Sequence, residues 1–341
     1  MFRLVCRGQA SSLFSTFLAI AGTAAATRSL YNKKAVCAES SNSHRRPHGK
    51  PMMFIRDREE FALKWKKFTT DQMNKLVVIA DFDYTLTSAY KSTDEQAVSS
   101  HSLLMESDAL GPNAEIVARE IFEKYFPIEQ SPTLTKEEKL PFMIEWWTKT
   151  HELMIKHGVS KNAIKKAVES SDIKLREGFM ELFELLARNN VPTLIFSAGL
   201  YDVIHAVLDK EYANTSAKTL PRNVHVISNV MSFDEHDKVI GFDGTLIHSL
   251  NKSASAILET DFWKQCQLEK RRNIILLGDS LGDSNMADGL NFQQDEIVRI
   301  GFLNDGSDEK LDLYLQKFDV VLTNDSSLLP VELLMHQLLQ K

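Results

Sequence analysis

The sequence predicts an α/β protein: a parallel-sheet core with helices on both faces, and a helical cap domain inserted into it. Three observations carry that prediction. Short apolar runs recur along the chain, each ending in polar residues; helical patterns separate them; and one interval between runs is too long for a single crossover helix.

The first run, Leu76-Val77-Val78-Ile79-Ala80, ends on Asp81-Phe82-Asp83-Tyr84-Thr85. A β-branched run that delivers acids to its carboxyl end reads as a buried parallel strand, and that edge is where open α/β sheets place ligands. Residues two apart in a strand share a face, so Asp81 and Asp83 can converge on one metal ion or one reacting group. Further runs are Pro192–Phe196 before Ser197-Ala198-Gly199, Val224–Ser228, and Asn273–Leu277 before Gly278-Asp279. Helical patterns at Met180–Arg188 and Tyr201–Lys210 lie between them. Residues 88–188 hold the helical stretches Ala114–Tyr125 and Lys136–His157 and read as the cap. Alternating runs within Val226–His248 flank Glu235-His236-Asp237-Lys238 and predict a hairpin. The expected organisation is a leader and linker at 1–51, a core at 52–87 and 189–341, and the cap at 88–188.

Composition is that of an ordinary soluble α/β protein, with 43% hydrophobic and 25% charged residues. The net charge of −6 conceals an asymmetry: residues 1–50 carry eight Lys/Arg against Glu39 alone, +7, which leaves −13 for the rest. A body that acidic is a poor non-specific partner for nucleic acid polymers, but Mg²⁺ and one Lys can still create a local phosphate site. Of three cysteines, Cys6 and Cys37 lie in the leader and Cys266 in the body, which points to a reducing compartment. There is no run of 18 apolar residues, hence no expected membrane span. The leader has no acid before Glu39 and resembles a mitochondrial or plastid transit peptide; a signal segment over Leu13–Ala26, or a cytoplasmic address, is the alternative. Residues 39–51 read as a disordered linker. A monomer is expected.

Taken singly, the polar landmarks are weak. A Ser before a helix, such as Ser197, is usually an N-cap; a loop Lys such as Lys252 is usually solvated; a Gly-Asp turn is often only a turn. Their order is what matters. Asp81-x-Asp83-x-Thr85, Ser197, Lys252 and Gly278-Asp279-Ser280-Leu281-Gly282-Asp283 resemble the four motifs of haloacid dehalogenase-like phosphohydrolases, whose core is Rossmann-like. By that resemblance Asp81 is the nucleophile that forms an aspartyl-phosphate, and Asp83 the acid and base. Asp81, Asp279 and the Asp83 backbone carbonyl would hold Mg²⁺, with Asp283 behind them. Ser197, Ala198 and Lys252 would bind the phosphate. Phe242-Asp243-Gly244-Thr245 imitates the first motif, but Gly241 stands where the nucleophile should be, so it is assigned to the hairpin.

A narrower resemblance runs from about residue 54 to the C-terminus. Ile128–Leu134, Glu137-Glu138-Lys139, Glu145-Trp146-Trp147-Thr148-Lys149, Ser228-Asn229, Asn251-Lys252 and Met286-Ala287-Asp288-Gly289 are similar to the cytosolic 5′-nucleotidase III (pyrimidine 5′-nucleotidase) family. That family implies a Mg²⁺-dependent 5′-nucleotidase that can also pass phosphate to other nucleosides. It implies that Glu129 reads the base, whose donors on cytosine or guanine a carboxylate can accept. It places Trp146, Trp147 and, less directly, Thr150 near the base. A purine would find a larger face on Trp147, and a methylated, cationic guanine would add about 0.5–2 kcal/mol of cation–π attraction. The loop 88–112 departs from the family: Ala89 stands where a stacking Phe can occur, beside Tyr90, which leaves CMP, UMP and 7-methyl-GMP all open. A phosphatase of another small phosphomonoester, such as phosphoserine, and a non-catalytic phosphate-binding module are the competing readings.

Overall fold

The structure is a computed structural model that describes residues 49–339 apart from 132, 254–257, 259–265 and 267. The leader and most of the linker expected from the sequence lie outside the described residues. The strands are β1 (Met53–Ile55), β2 (Leu76–Ala80), β3 (Thr193–Leu200), β4 (Val224–Phe233), β5 (Val239–Asp243), β6 (Asn273–Gly278), β7 (Ile297–Leu303) and β8 (Val320–Thr323). They form one sheet in the order β1-β8-β7-β6-β2-β3-β4-β5. The pairs at the two ends, β1 with β8 and β4 with β5, are antiparallel, and every other pair is parallel.

The central position of β2 follows from its composition. All five of its residues are buried. Val78 and Ala80 enter one apolar layer and Val77 and Ile79 the other, so both faces are covered. Helices supply that cover: α1 (Arg58–Asp71) before β2, α7 (Tyr201–Ala213) after β3, α8 (Asp308–Lys317) before β8 and α9 (Leu329–His336) after it.

Between β2 and β3 the chain builds α2 (Ser102–Met105), α3 (Pro112–Gln130), α4 (Lys136–His157), α5 (Lys161–Ser170) and α6 (Phe179–Arg188). The start of α4 is a capping box: the Thr135 hydroxyl accepts from the Glu138 N–H at 3.2 Å, and the Glu138 carboxylate accepts from the Thr135 N–H at 2.8 Å. Gly158 ends it in the left-handed conformation (φ 59°). α3 and α4 meet through Tyr125, Met143, Trp146 and Trp147, against which Ala198 and Leu250 also pack. Both ends of this insertion are tied to the sheet by one carboxylate. Asp325 accepts from the Ala89 N–H at 2.9 Å and from Arg176 Nη1 at 2.8 Å. Arg176 also donates to the carbonyls of Tyr84 (2.6 Å) and Thr85 (2.9 Å), which fixes the turn that follows Asp83.

The α/β class is as expected, and the hairpin is β4–β5, with the decoy Asp243 exposed at its edge. Three strands carry weaker sequence signals. β1 is only three residues long, β8 only four, and the run in β7 is broken by Arg299. Burial of that Arg is tolerated because its guanidinium donates to the Ser284 carbonyl and to Gln294 Oε1, each at 2.9 Å. Ser197 lies inside β3 rather than capping the next helix, because the pairing with β4 shifts register between Phe196 and Leu200 and the strand continues.

Candidate active site

Three adjacent parallel strands, β6, β2 and β3, bring Asp279, Asp81 and Ser197 to one edge of the sheet. The ladder continues one residue past β2, as the Asp81 N–H donates to the Leu277 carbonyl at 3.0 Å. Lys252 arrives from the loop after β5. Its ammonium donates to Asp81 Oδ1 at 2.5 Å and to Asp283 Oδ1 at 2.9 Å. The other oxygen of Asp283 accepts from the Ser280 N–H (2.9 Å) and hydroxyl (2.7 Å). Gly278 makes room for this turn, since a Cβ there would stand 2.3 Å from the Asp283 Cβ.

Asp83 faces the same space. Its two oxygens accept from the Ser100 N–H and hydroxyl, each at 2.6 Å. The Ser197 hydroxyl accepts from the Gly199 N–H at 2.9 Å. Gly199 is where these groups crowd together: a Cβ would fall 1.9 Å from Ser100 Oγ and 3.1 Å from both Asp83 Oδ2 and Ser197 Oγ.

The electrostatics are those of a site that lacks positive charge. Burial raises the Asp81 pKa to about 7, with Lys252 opposing it and Asp283 adding to it. Burial, then repulsion from Asp283 and Asp81, pushes Asp279 well above the carboxylate range. Burial also raises Asp83, against the hydrogen bonds from Ser100. Burial disfavours the Lys252 ammonium, yet Asp283 and Asp81 outweigh it and raise its pKa. Carboxylate oxygens of Asp81, Asp279 and Asp283 lie within 4.8 Å of one another. One ammonium among these acids leaves negative charge for a hard divalent cation to neutralise, and the all-oxygen donor set suits Mg²⁺. Asp283 already spends both oxygens on Lys252 and Ser280, so Asp81 and Asp279 are the better placed carboxylates. Tyr314 steadies Asp279 by donating its hydroxyl to the Asp279 carbonyl.

The residues expected near a base sit on the insertion and touch the core. Glu129, at the end of α3, accepts from the Ser249 hydroxyl at 2.6 Å, and burial raises its pKa. Trp147 Nε1 donates to the Ala198 carbonyl at 3.3 Å. The Trp147 ring lies 5.3 Å from that of His101, at 30°. Trp146 is turned away into the α3–α4 contact, stacked on Tyr125 at 6.1 Å and edge-on to Trp147 at 4.9 Å. Thr150 is buried with its hydroxyl on the Trp146 and Trp147 carbonyls (3.2 and 2.9 Å), and His101 Nε2 lies 3.2 Å away. Ala89 is buried at the start of the insertion beside Asp325.

Two residues of the site are given no role by the sequence. Ser100 lies between Ser99 and Ser102 in a divergent loop, and nothing in the sequence sets it apart from them. Asn229 holds the Ala198 carbonyl at 2.7 Å and both backbone groups of Ile247 (2.8 and 2.9 Å), joining β4 to the end of β3 and to the approach to Lys252. The Ser228-Asn229 pair is among the segments that resemble the family, but that resemblance assigns Asn229 no role.

Comparison with known proteins agrees with this geometry. The profile of the pyrimidine 5′-nucleotidase (UMPH-1) family matches residues 84–339, starting one residue after Asp83. The chain is 39% identical over 255 residues to the 7-methylguanosine phosphate-specific 5′-nucleotidase of Mus musculus, covering 75% of this chain and 82% of the relative. It is 40% identical to the protein of the same name from Gallus gallus, with 75% and 85% covered. Among solved structures it is similar to cytosolic 5′-nucleotidase IIIB with bound cytidine, with a TM-score of 0.71, 29% identity, and 84% of this chain and 93% of that chain covered. With its acids gathered at the carboxyl ends of adjacent parallel strands, the chain belongs to the pyrimidine 5′-nucleotidase (UMPH-1) family and is a 5′-nucleotidase.

Proposed function

We propose that this enzyme is a Mg²⁺-dependent phosphohydrolase of nucleoside 5′-monophosphates, acting through an aspartyl-phosphate on Asp81. The single observation that carries the reading is Lys252, whose ammonium bridges Asp81 and Asp283 at 2.5 and 2.9 Å beside Asp279. A carboxylate attacks a phosphate dianion only where the negative charge of both is offset. Lys252 supplies part of that offset. Mg²⁺ held by Asp81, Asp279 and the Asp83 carbonyl would supply the rest by neutralising phosphate oxygens.

In the first step an Asp81 oxygen bonds to phosphorus, the bond to the nucleoside 5′-oxygen breaks, and Asp83 gives that oxygen its proton. In the second, Asp83 takes a proton from water, the water oxygen bonds to phosphorus, and Asp81 is released. Ser100 aims Asp83, while Ser197 and Lys252 hold phosphate oxygens. A nucleoside hydroxyl in place of water would turn hydrolysis into phosphate transfer.

The helical insertion, 88–188, acts as the cap that selects the base, with Glu129 accepting from its N–H donors. Trp147, with Trp146 and Thr150 behind it, forms the aromatic wall. Trp147 and the names of the relatives support 7-methyl-GMP alongside CMP and UMP. A panel of CMP, UMP, 7-methyl-GMP, AMP and phosphoserine, with and without Mg²⁺, tests the reading; turnover of phosphoserine alone sinks it. Among the described residues no helix is long and apolar enough to cross a membrane. The basic leader supports import into an organelle, which a fluorescent fusion of residues 1–51 tests.

A further inference from the structure

Glu129 and Ser249 meet across the junction between the insertion and the core. Ser249 Oγ donates to Glu129 Oε1 at 2.6 Å, while Lys139 Nζ holds the Glu129 main-chain carbonyl at 2.7 Å. The loop that carries Ser249 is internally braced. The His248 N–H donates to Asn251 Oδ1 at 2.7 Å, the Leu250 N–H to His248 Nδ1 at 3.2 Å, and Asn251 Nδ2 to the Leu246 carbonyl at 2.7 Å. Ser249 is therefore fixed relative to Lys252, three residues on, whose ammonium grips Asp81.

A carboxylate at the end of three rotatable bonds reads a base poorly unless something removes its freedom. A short hydrogen bond from a braced hydroxyl does that. It also leaves acceptor capacity on the carboxylate for a second donor, because an ionised Glu can accept about four hydrogen bonds. We propose that Ser249 is a specificity-determining residue: its hydroxyl aims Glu129 at the N–H donors of the base and sets the distance between base reader and phosphate clamp. The inference rests on the reading of Glu129 as the base contact. Bases that present N–H donors to the carboxylate, such as cytosine and guanine, are the class it favours.

The test is steady-state kinetics of the full chain with Mg²⁺, on CMP and 7-methyl-GMP, for wild type, Ser249→Ala, Ser249→Thr and Glu129→Gln. Product inhibition by the nucleoside and by inorganic phosphate is measured alongside. Ser249→Ala is expected to raise KM and the nucleoside inhibition constant about tenfold, the scale of a hydrogen bond to a charged group. It should leave the phosphate inhibition constant within about twofold of wild type, and Ser249→Thr, which keeps the hydroxyl, should restore KM. If Glu129→Gln loses nucleotide affinity while Ser249→Ala does not, the inference is overturned and the Glu129 reading stands. If Ser249→Ala weakens phosphate as much as nucleoside, Ser249 acts through Lys252 and the inference is again overturned. If Glu129→Gln changes nothing, the base-contact reading itself fails.

Discussion

The two ends of the site are built from opposite materials. The end proposed to hold the phosphate is a knot of charge at the sheet edge: buried Asp81, Asp283 and Lys252 beside half-buried Asp279, with Asp83 held by Ser100. The end proposed to hold the base is aromatic: Trp146, Trp147 and Tyr125, flanked by His101 and His248, with Glu129 as its acid. Every phosphomonoester offers the same dianion, so one fixed charge arrangement on rigid strands serves all of them. Bases differ in shape and in edge donors, and are better met by surfaces on an inserted element that can vary while the core does not.

The comparison breaks first at the nucleophile. Asp81→Asn should cut phosphate release by about 10⁴-fold or more while leaving the circular dichroism spectrum intact; wild-type turnover with Mg²⁺ would show that the charged end has another nucleophile. Asp83→Asn should cost about 10²–10⁴-fold in kcat, the span of general acid–base catalysis, with little change in KM.

Stability gives the next contrast. Lys252→Met leaves Asp81 and Asp283 buried without their cation, and should cost about 3–5 kcal/mol by urea denaturation of the metal-free protein. At the base end, Trp147→Phe keeps an aromatic face but loses the Nε1 donor to Ala198. A KM for 7-methyl-GMP raised a few-fold at nearly constant kcat is expected; a fall in kcat alone would move Trp147 to the chemical end.

The smallest effect is a pH response that belongs to the base end. Burial lowers the pKa of His101 and His248 to about 4 and that of His151 to about 3, from an ordinary 6.5. Below pH 6.5 the unfolded chain takes up protons that the folded chain refuses. The stability these three histidines contribute is therefore full above pH 6.5, falls as pH drops toward 4, and levels off near 3. His151 stacks on Phe242 at 3.6 Å, and its Nε2 has no hydrogen-bond partner among the described residues. His151→Phe should flatten part of that slope in melting curves recorded from pH 7 to pH 4, and an unchanged slope would assign the titration to His101 and His248.

How legible each residue was follows from how local its signal is. Asp81 and Asp279 stand directly after apolar strands, and Lys136–His157 carries its own capping box, so strand ends and the main helix of the insertion could be read from neighbours in sequence. Ser100, Asn229, Arg176 and Ser249 could not. Each acts on a partner 17 to 149 residues away, Ser100 on Asp83 and Arg176 on Asp325, and nothing in the flanking residues announces that partner. The N-cap alternative for Ser197 falls for the same reason: pairing with β4 keeps the chain extended past it.

By itself the sequence determined the α/β class, the acids at the strand ends and the order of the phosphate motifs, because strand burial and the turn after a strand are written in contiguous residues. Only the tertiary structure decided which groups meet. It placed Lys252 between Asp81 and Asp283, Ser100 on Asp83, and Ser249 on Glu129. Those pairings depend on strand order and on how the insertion lies against the core, and both are set by burying apolar surface across the whole chain rather than within any one segment.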